Sequence, residues 1–326
     1  MRNLCLVTGA NGHLGNNLLR ALIAKGERVR AGVRDVSNQQ AFAGLNCELV
    51  YTELQDKKSL IKALDGVDIL YQVAAVFKHW AKDPETDIVS PNVEGTRNIL
   101  EAAAQAGVKK IVYVSSVAAV GHNGEALDET EWNADQSNPY YRSKILSERL
   151  AWELAEELGL EMVSVLPSAM IGPHAYRLTD TMGYLESIRQ RQVPLNPNFY
   201  FNFVDVRDVA NALIMAAQCG VAGERYILAN THCSGMDSII AVANSVTPGY
   251  KLPPKAPKCL LFLAAFLKES MAKLSGKAAD LTRSQVAIFY GIKQEYAIKK
   301  AREQLGFQPR TPEVALKETF NYLMER

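Results

Sequence analysis

The sequence is poor in the features that mark a disulfide framework, a metal centre, a membrane span or a polyanion-binding surface. Its five cysteines (Cys5, Cys47, Cys219, Cys233 and Cys259) are odd in number, widely spaced and nowhere paired as Cys-x-x-Cys. That pattern excludes a stapled scaffold and points to reduced thiols in a cytoplasmic setting. The histidines His13, His79, His122, His174 and His232 are equally scattered, with no pair at metal-ligand spacing, so no metal is expected. Net charge is +1, which gives no global field to gather nucleic acid or an anionic membrane; local basic clusters have to be judged singly. The N-terminus lacks the apolar length and cleavage pattern of a signal peptide. The longest apolar stretch, 260–267, is far too short to span a bilayer. It reads as a buried helix of a second lobe, with a lipid-facing surface as the alternative. Internal repeats, low-complexity tracts and flexible linkers are absent too.

What is present is an alternation. Short apolar runs at 4–8, 29–33, 47–51, 69–73, 111–115 and 162–166 are separated by amphipathic stretches at 14–25, 57–64, 93–106 and 142–158. Strand and helix repeated in this way, with strands rich in Val, Ile and Leu, predict a parallel sheet covered on both faces. Right-handed crossovers make it doubly wound. After Pro167 the rhythm breaks. Helices are expected at 182–191 and 204–218, a late strand at 225–229, and a last helix opened by Thr311-Pro312 as N-cap and first-turn proline.

The first strand runs directly into Thr8-Gly9-Ala10-Asn11-Gly12-His13-Leu14-Gly15 and then a helix. Strand, glycine-rich turn and helix form the context in which backbone amides and a helix N-terminus hold a dinucleotide diphosphate. The second strand ends in Arg34-Asp35. A carboxylate in this position serves the ribose hydroxyls of NAD, whereas a guanidinium serves the 2′-phosphate of NADP. Arg34 therefore predicts NADP(H), and Asp35 keeps NAD open. Glu53 and Leu54 fall where adenine is met, and Val73, Ala74 and Ala75 end the fourth strand with residues that let cofactor lie against the backbone.

Tyr140 and Lys144 stand four apart at the start of a helix, on one face. A free phenol titrates near 10, and a nearby ammonium favours its phenolate. Ser116, at the end of the fifth strand, is placed to hydrogen-bond a substrate oxygen; Ser115 is the alternative. Tyr296 and Lys300 repeat the spacing without a serine-bearing strand before them and read as helix surface.

These motifs, together with Asn92-Val93-Glu94-Gly95-Thr96, Pro167-Ser168, Gly172-Pro173 and the run from Phe203 through Val204-Asp205-Val206 to Ala210, make the chain resemble an extended short-chain dehydrogenase/reductase. Within that epimerase/dehydratase superfamily it is most similar to the dihydroflavonol reductase-like and 3β-hydroxysteroid dehydrogenase-like branch. The resemblance covers nearly the whole chain. It implies hydride transfer at a nicotinamide, with Tyr140 as general acid or base, Lys144 on the ribose and Ser116 polarising a small-molecule carbonyl. Pro167 joins the cofactor set, and a homodimer through helices flanking the sheet is in keeping with the family. One departure stands out. Gly121 occupies the place of the substrate-binding asparagine of plant flavonoid reductases, so a flavonoid substrate is not supported, and a sugar-nucleotide epimerase stays in view. A silent redox sensor is the third reading. Phe77 and Trp80 are expected to form a lid, and Met170, Tyr184 and Phe203 to line the substrate pocket. The expected division is a Rossmann-type domain at 1–167 with elements returning at about 204–230. A smaller, mostly helical substrate lobe at 168–203 and 231–326 is interleaved with it.

Overall fold

Apolar runs too short for helices and rich in β-branched residues become the strands of a sheet buried on both faces. The computed structural model describes residues 2–276, 279 and 281–326. The strands are β1 (Leu4–Thr8), β2 (Arg28–Val33), β3 (Glu48–Tyr51), β4 (Ile69–Gln72), β5 (Lys110–Val114), β6 (Ala126–Leu127), β7 (Met162–Pro167), β8 (Ala169–Ile171), β9 (Phe203–Asp205), β10 (Arg225–Leu228) and β11 (Glu295–Tyr296). The helices are α1 (His13–Ala24), α2 (Lys57–Leu64), α3 (Ser90–Ala106), α4 (Pro139–Glu157), α5 (Asp180–Arg189), α6 (Val206–Cys219), α7 (Met236–Val246), α8 (Lys258–Ser275), α9 (Arg283–Phe289), α10 (Lys299–Leu305) and α11 (Pro312–Glu325).

Seven strands form one parallel sheet in the order β3-β2-β1-β4-β5-β7-β10. The order reverses between β1 and β4, and ligands of such sheets bind at the strand C-termini beside that reversal. One face packs against α1 and α6 through residues such as Leu18, Leu22 and Leu213. The other packs against α2, α3 and α4 through Leu60, Ile99 and Leu154. A separate apolar core is formed by α5, α7 and α11, centred on Met182, Ile239 and Phe320.

The predicted elements of the first half appear within three residues of their expected ends. The start of α4 is the offset that matters: it begins at Pro139 because the Asn138 side chain accepts from the amides of Tyr140 (3.0 Å) and Tyr141 (3.2 Å). Tyr140 thereby enters the first helical turn. The helix expected from 204 begins two residues later. Phe203–Asp205 pairs with β8, and the Asp205 carboxylate then caps the helix at the Arg207 amide, 2.8 Å away.

Three further expectations are corrected. Residues 296–307, assigned to the second lobe, pack against the sheet instead: Tyr296, Ile298, Ala301, Leu305 and Phe307 belong to the α1/α6 core. Tyr296 is no helix-surface residue; it is buried in β11, and its hydroxyl donates to the Gly121 carbonyl at 3.0 Å. Lys300 pairs with Glu224. The 260–267 stretch lies in α8 and is buried along one side only, at Leu261 and Ala265, with Leu260, Leu263, Phe266 and Leu267 exposed. No described helix is long and apolar enough to cross a membrane.

Candidate active site

The glycine turn sits at the C-terminal end of β1 and closes on the end of β4. Gly9 has φ +61°, and a Cβ there would meet the Ala74 Cα at 3.0 Å. A Cβ on Gly15 would lie 2.3 Å from the Gly9 carbonyl oxygen, so only glycine lets α1 start this close to the turn. Asn11 and Gly12 are exposed, and no described side chain caps α1. Its first amides are therefore open to an anion. Thr8 works differently from the expectation of a cofactor contact. Its buried hydroxyl donates to Gln72 Oε1 (2.7 Å) and accepts from the amides of Val73 (2.9 Å) and Ala74 (3.0 Å), lashing β1 to the end of β4.

His13 and Leu14 turn their side chains inward. His13 Nε2 lies 3.1 Å from the carbonyls of both Gly172 and Pro173. Two carbonyl acceptors require that nitrogen to carry the proton. Burial lowers the imidazole to about 4, so the ring is neutral. Asn17 adds a 2.9 Å bond to the Pro173 carbonyl. The phosphate turn is thus tied to the loop entering the second lobe.

Arg34 is exposed at the end of β2, and no hydrogen bond or ion pair to a described residue engages it. Asp35 is occupied: it accepts from the Ser37 amide (3.0 Å) and hydroxyl (2.6 Å), which also lower its pKa. Glu53 and Leu54 lie half-buried after β3, and Pro167 is buried at the end of β7.

Ser116 and Tyr140 come together. The Ser116 hydroxyl accepts from the Ala118 amide at 3.1 Å and stands close enough to the Tyr140 phenol to pull its pKa down. Burial pushes that phenol up to about 12, against the opposing pull of Ser116. Lys144, one turn further along α4, is buried with its Nζ donating to the Val114 carbonyl at 3.2 Å. Burial lowers it to about 8, opposed by Glu148. The expected lowering of the phenol by the ammonium is not met in this arrangement. Desolvation dominates, and the ammonium is turned towards the β5 carbonyl. Lys144 shares a small cavity with Ala74, Ala75, Gln72 and Asn92, so the end of β4, α3 and α4 line one recess.

Ser115 is excluded from the substrate role because its hydroxyl donates to Glu148 at 2.7 Å. The buried Glu148 also accepts from Ser164 (2.8 Å) and Arg225 (2.9 and 3.1 Å), and Arg225 stacks on Trp132. This network, unforeseen from sequence, fixes α4 against β5, β7 and β10. Asn92 had been quoted only as part of a motif. It brackets Val76 through two bonds (2.7 and 3.0 Å) and reaches Ser143, tying the loop after β4 to α4.

Above Tyr140, Phe77 and His79 meet its ring edge-on at 4.8 and 5.1 Å. His79, not singled out by sequence reasoning, is held neutral by burial, and its sealed Nδ1 has no partner among the described residues. The only sequence signal for it was its place in the loop after β4. Trp80 is half-buried nearby in sequence, with no ring contact to Tyr140. Tyr184 is half-buried against Phe201, and Met170 packs on the sheet core. Two predicted substrate contacts are corrected. Phe203 is wholly buried, stacked on Phe201 inside the second-lobe core. Gly121 (φ +105°) holds a turn against Asn133 and receives Tyr296 on its carbonyl.

Comparison with known proteins agrees with this architecture. The family model described as NAD dependent epimerase/dehydratase family matches residues 5–229. The chain belongs to that family and is an oxidoreductase of the extended short-chain dehydrogenase/reductase type. It is 32% identical to sterol demethylase protein B of Methylococcus capsulatus, over 98% of each chain. It is 30% identical to the dihydroflavonol 4-reductase of Arabidopsis thaliana, over 75% of this chain and 69% of that one. The crystal structure of gox2253 superposes with a TM-score of 0.85 at 32% identity, covering 99% of this chain and 98% of that one. Yeast methylglyoxal/isovaleraldehyde reductase Gre2, complexed with NADPH, shares the fold with a TM-score of 0.76 at 22% identity, over 99% and 98% of the two chains.

Proposed function

We propose that the protein is an NADPH-dependent reductase of aldehydes or ketones in which Tyr140 acts as the general acid. The observation that carries this reading is the juxtaposition of the Tyr140 and Ser116 hydroxyls, one helical turn from buried Lys144 and beside the β4 end that touches the glycine turn. The residues present fit the cofactor: an uncapped helix start, exposed Asn11 and Gly12, and a turn that only glycine permits. Gly9, Asn11 and Gly12, with the amides of His13, Leu14 and Gly15, would hold the diphosphate. Glu53 and Leu54 would flank the adenine, Val73–Ala75 and Pro167 the nicotinamide, and Tyr140 and Lys144 its ribose. Arg34 stands free for a 2′-phosphate while Asp35 is taken up by Ser37, which supports NADP over NAD. The NADPH-bound yeast reductase of the same fold points the same way.

When bound, NADPH supplies the hydride. The protein supplies the rest. A phenol held near 12 is protonated at neutral pH, the form needed to give a proton to a carbonyl oxygen as negative charge grows there. Ser116 donates a hydrogen bond to the same oxygen and shares its charge. Lys144, lowered to about 8, lies within reach of neutral pH and holds a proton that can be returned to the phenolate by way of water. Phe77, Tyr184 and Phe201 give the approach an apolar, aromatic character suited to an apolar carbonyl compound. The sterol-related name of the Methylococcus relative agrees with that class.

Gly121 motivated the epimerase alternative, but its carbonyl is engaged and its Cα faces Asn133, so it lends that alternative no support. The retained tyrosine, lysine and serine speak against a silent sensor. The test is cofactor depletion, NADPH against NADH, over aromatic aldehydes, ketosteroids, diketones and nucleotide sugars. Net oxidation of NADPH by a ketone or aldehyde is expected. Purified protein carrying one equivalent of NAD, interconverting nucleotide sugars and consuming no NADPH, would replace the reading with epimerisation.

A further inference from the structure

The helix α8 carries two apolar stripes rather than one. Leu261, Ala265 and Ala272 face inward, where Leu261 and Ala265 pack with Phe199 and Val286. On the opposite side Leu260, Leu263, Leu267, Met271 and Leu274 recur at intervals of three and four, a continuous helical face. All five are exposed, from 45% at Leu260 to 90% at Leu274, and most of the other large exposed hydrophobics of the described chain are dispersed singly. A patch of this kind marks a surface meant for a partner.

Charge identifies the partner. Between residues 251 and 276 the chain has five lysines, at 251, 255, 258, 268 and 273, all exposed. The single acid there, Glu269, is engaged by the Arg283 side chain at 2.8 Å and its amide at 2.7 Å. In helical projection Lys268 flanks one edge of the outer stripe and Lys273 the other. An aliphatic stripe with basic edges, on a helix too polar to span, is the pattern of a segment lying in a bilayer interface with its lysines among anionic headgroups. Two copies packed stripe to stripe would instead bring these lysine edges together.

We propose that the outer face of α8 docks the protein on anionic lipid membranes. Docking would hold the second lobe against the bilayer. The inner side of α8 shares a core with Phe289, whose ring lies 6.4 Å from Tyr141 and 6.1 Å from Phe201. Delivery of an apolar carbonyl from lipid would follow from that placement; this consequence, unlike the docking, rests on the reductase reading.

The experiment is flotation of the full chain with vesicles of phosphatidylcholine containing phosphatidylglycerol, against vesicles of phosphatidylcholine alone, at low and high salt. Binding to the anionic vesicles is expected, weakened by salt. Lys268→Glu with Lys273→Glu should lower it by on the order of tenfold or more. Leu263→Glu with Leu267→Glu should abolish it, with thermal unfolding and turnover of a water-soluble carbonyl unchanged because both positions are exposed. Flotation does not depend on turnover, so a failed reductase assay leaves it intact. No binding, or equal binding to neutral vesicles, would overturn the proposal. So would a concentration-dependent dimer dispersed by the leucine variants, since it would make a second copy the occupant.

Discussion

Replacing Arg34 with alanine should change which cofactor the protein holds while leaving its fold alone. The guanidinium is exposed and engages no described residue, so its removal strands no buried group. The whole effect therefore falls on the 2′-phosphate. Charge-assisted, two-pronged contacts of this kind contribute about 1.5–3 kcal/mol, and an exposed site takes the lower end. About 1.5 kcal/mol corresponds to roughly a tenfold weaker Kd for NADPH. NADH has no 2′-phosphate and should bind as before. Arg34→Glu adds repulsion and should weaken NADPH further, with the gap shrinking as salt rises. Ser37→Ala makes the complementary change: without that hydroxyl, Asp35 loses its 2.6 Å bond and is freer to meet a ribose, so NADH binding should improve. Titration of each variant by cofactor fluorescence measures both constants. An unchanged ratio of NADPH to NADH affinity in Arg34→Ala would refute the assignment of Arg34 as the phosphate reader.

Gly15→Ala forces a Cβ to within 2.3 Å of the Gly9 carbonyl, so the turn must open. A loss of about 1–3 kcal/mol in stability is expected, with NADPH binding weakened in the same titration; wild-type affinity would show that the turn is not the cradle. Glu148→Leu leaves Arg225 buried without its carboxylate and should cost about 3–5 kcal/mol in denaturant unfolding. A loss below ~1 kcal/mol would mean the pair behaves like a surface one. His13 gives a pH dependence. Its folded value of about 4 lies below its unfolded value of about 6.5, so between these the unfolded chain binds more protons and stability rises with pH. Stability should fall by up to about 3 kcal/mol as pH drops from 6.5 to 4, and His13→Gln should flatten that part of the curve. An unaltered slope would point to other groups.

The sheet was legible because parallel strands buried on both faces read as unbroken apolar runs, and each motif followed such a run. Gly9–Gly15 after β1, Arg34 after β2 and Ser116 after β5 needed only local order to be placed. Tyr140 and Lys144 needed one helix. What escaped depends on partners distant in sequence. Strands of two or three residues, β6 with β11 and β8 with β9, carry no periodicity of their own, so the fate of Phe203 and Tyr296 was set by pairing across 34 and 169 residues. Phe203 shows the limit well: an aromatic at a lobe boundary suits a pocket or a core equally, and only its stacking on Phe201 decides. The inward turn of His13 to the 172–173 carbonyls and the grip of Ser115, Ser164 and Arg225 on Glu148 were invisible for the same reason. The outer stripe of α8 misled differently. Hydrophobic spacing says that a helix face seeks cover, without saying whether this chain supplies it.

The most direct measurement of the central claim is hydride transfer in a single turnover by Tyr140→Phe. The substitution removes one hydroxyl and keeps the ring that Phe77 and His79 pack against, so folding and NADPH affinity should hold. Loss of the proton donor should slow oxidation of bound NADPH by a ketone by on the order of 10²–10⁴-fold. Transfer at the wild-type rate, with cofactor bound normally, would contradict the account.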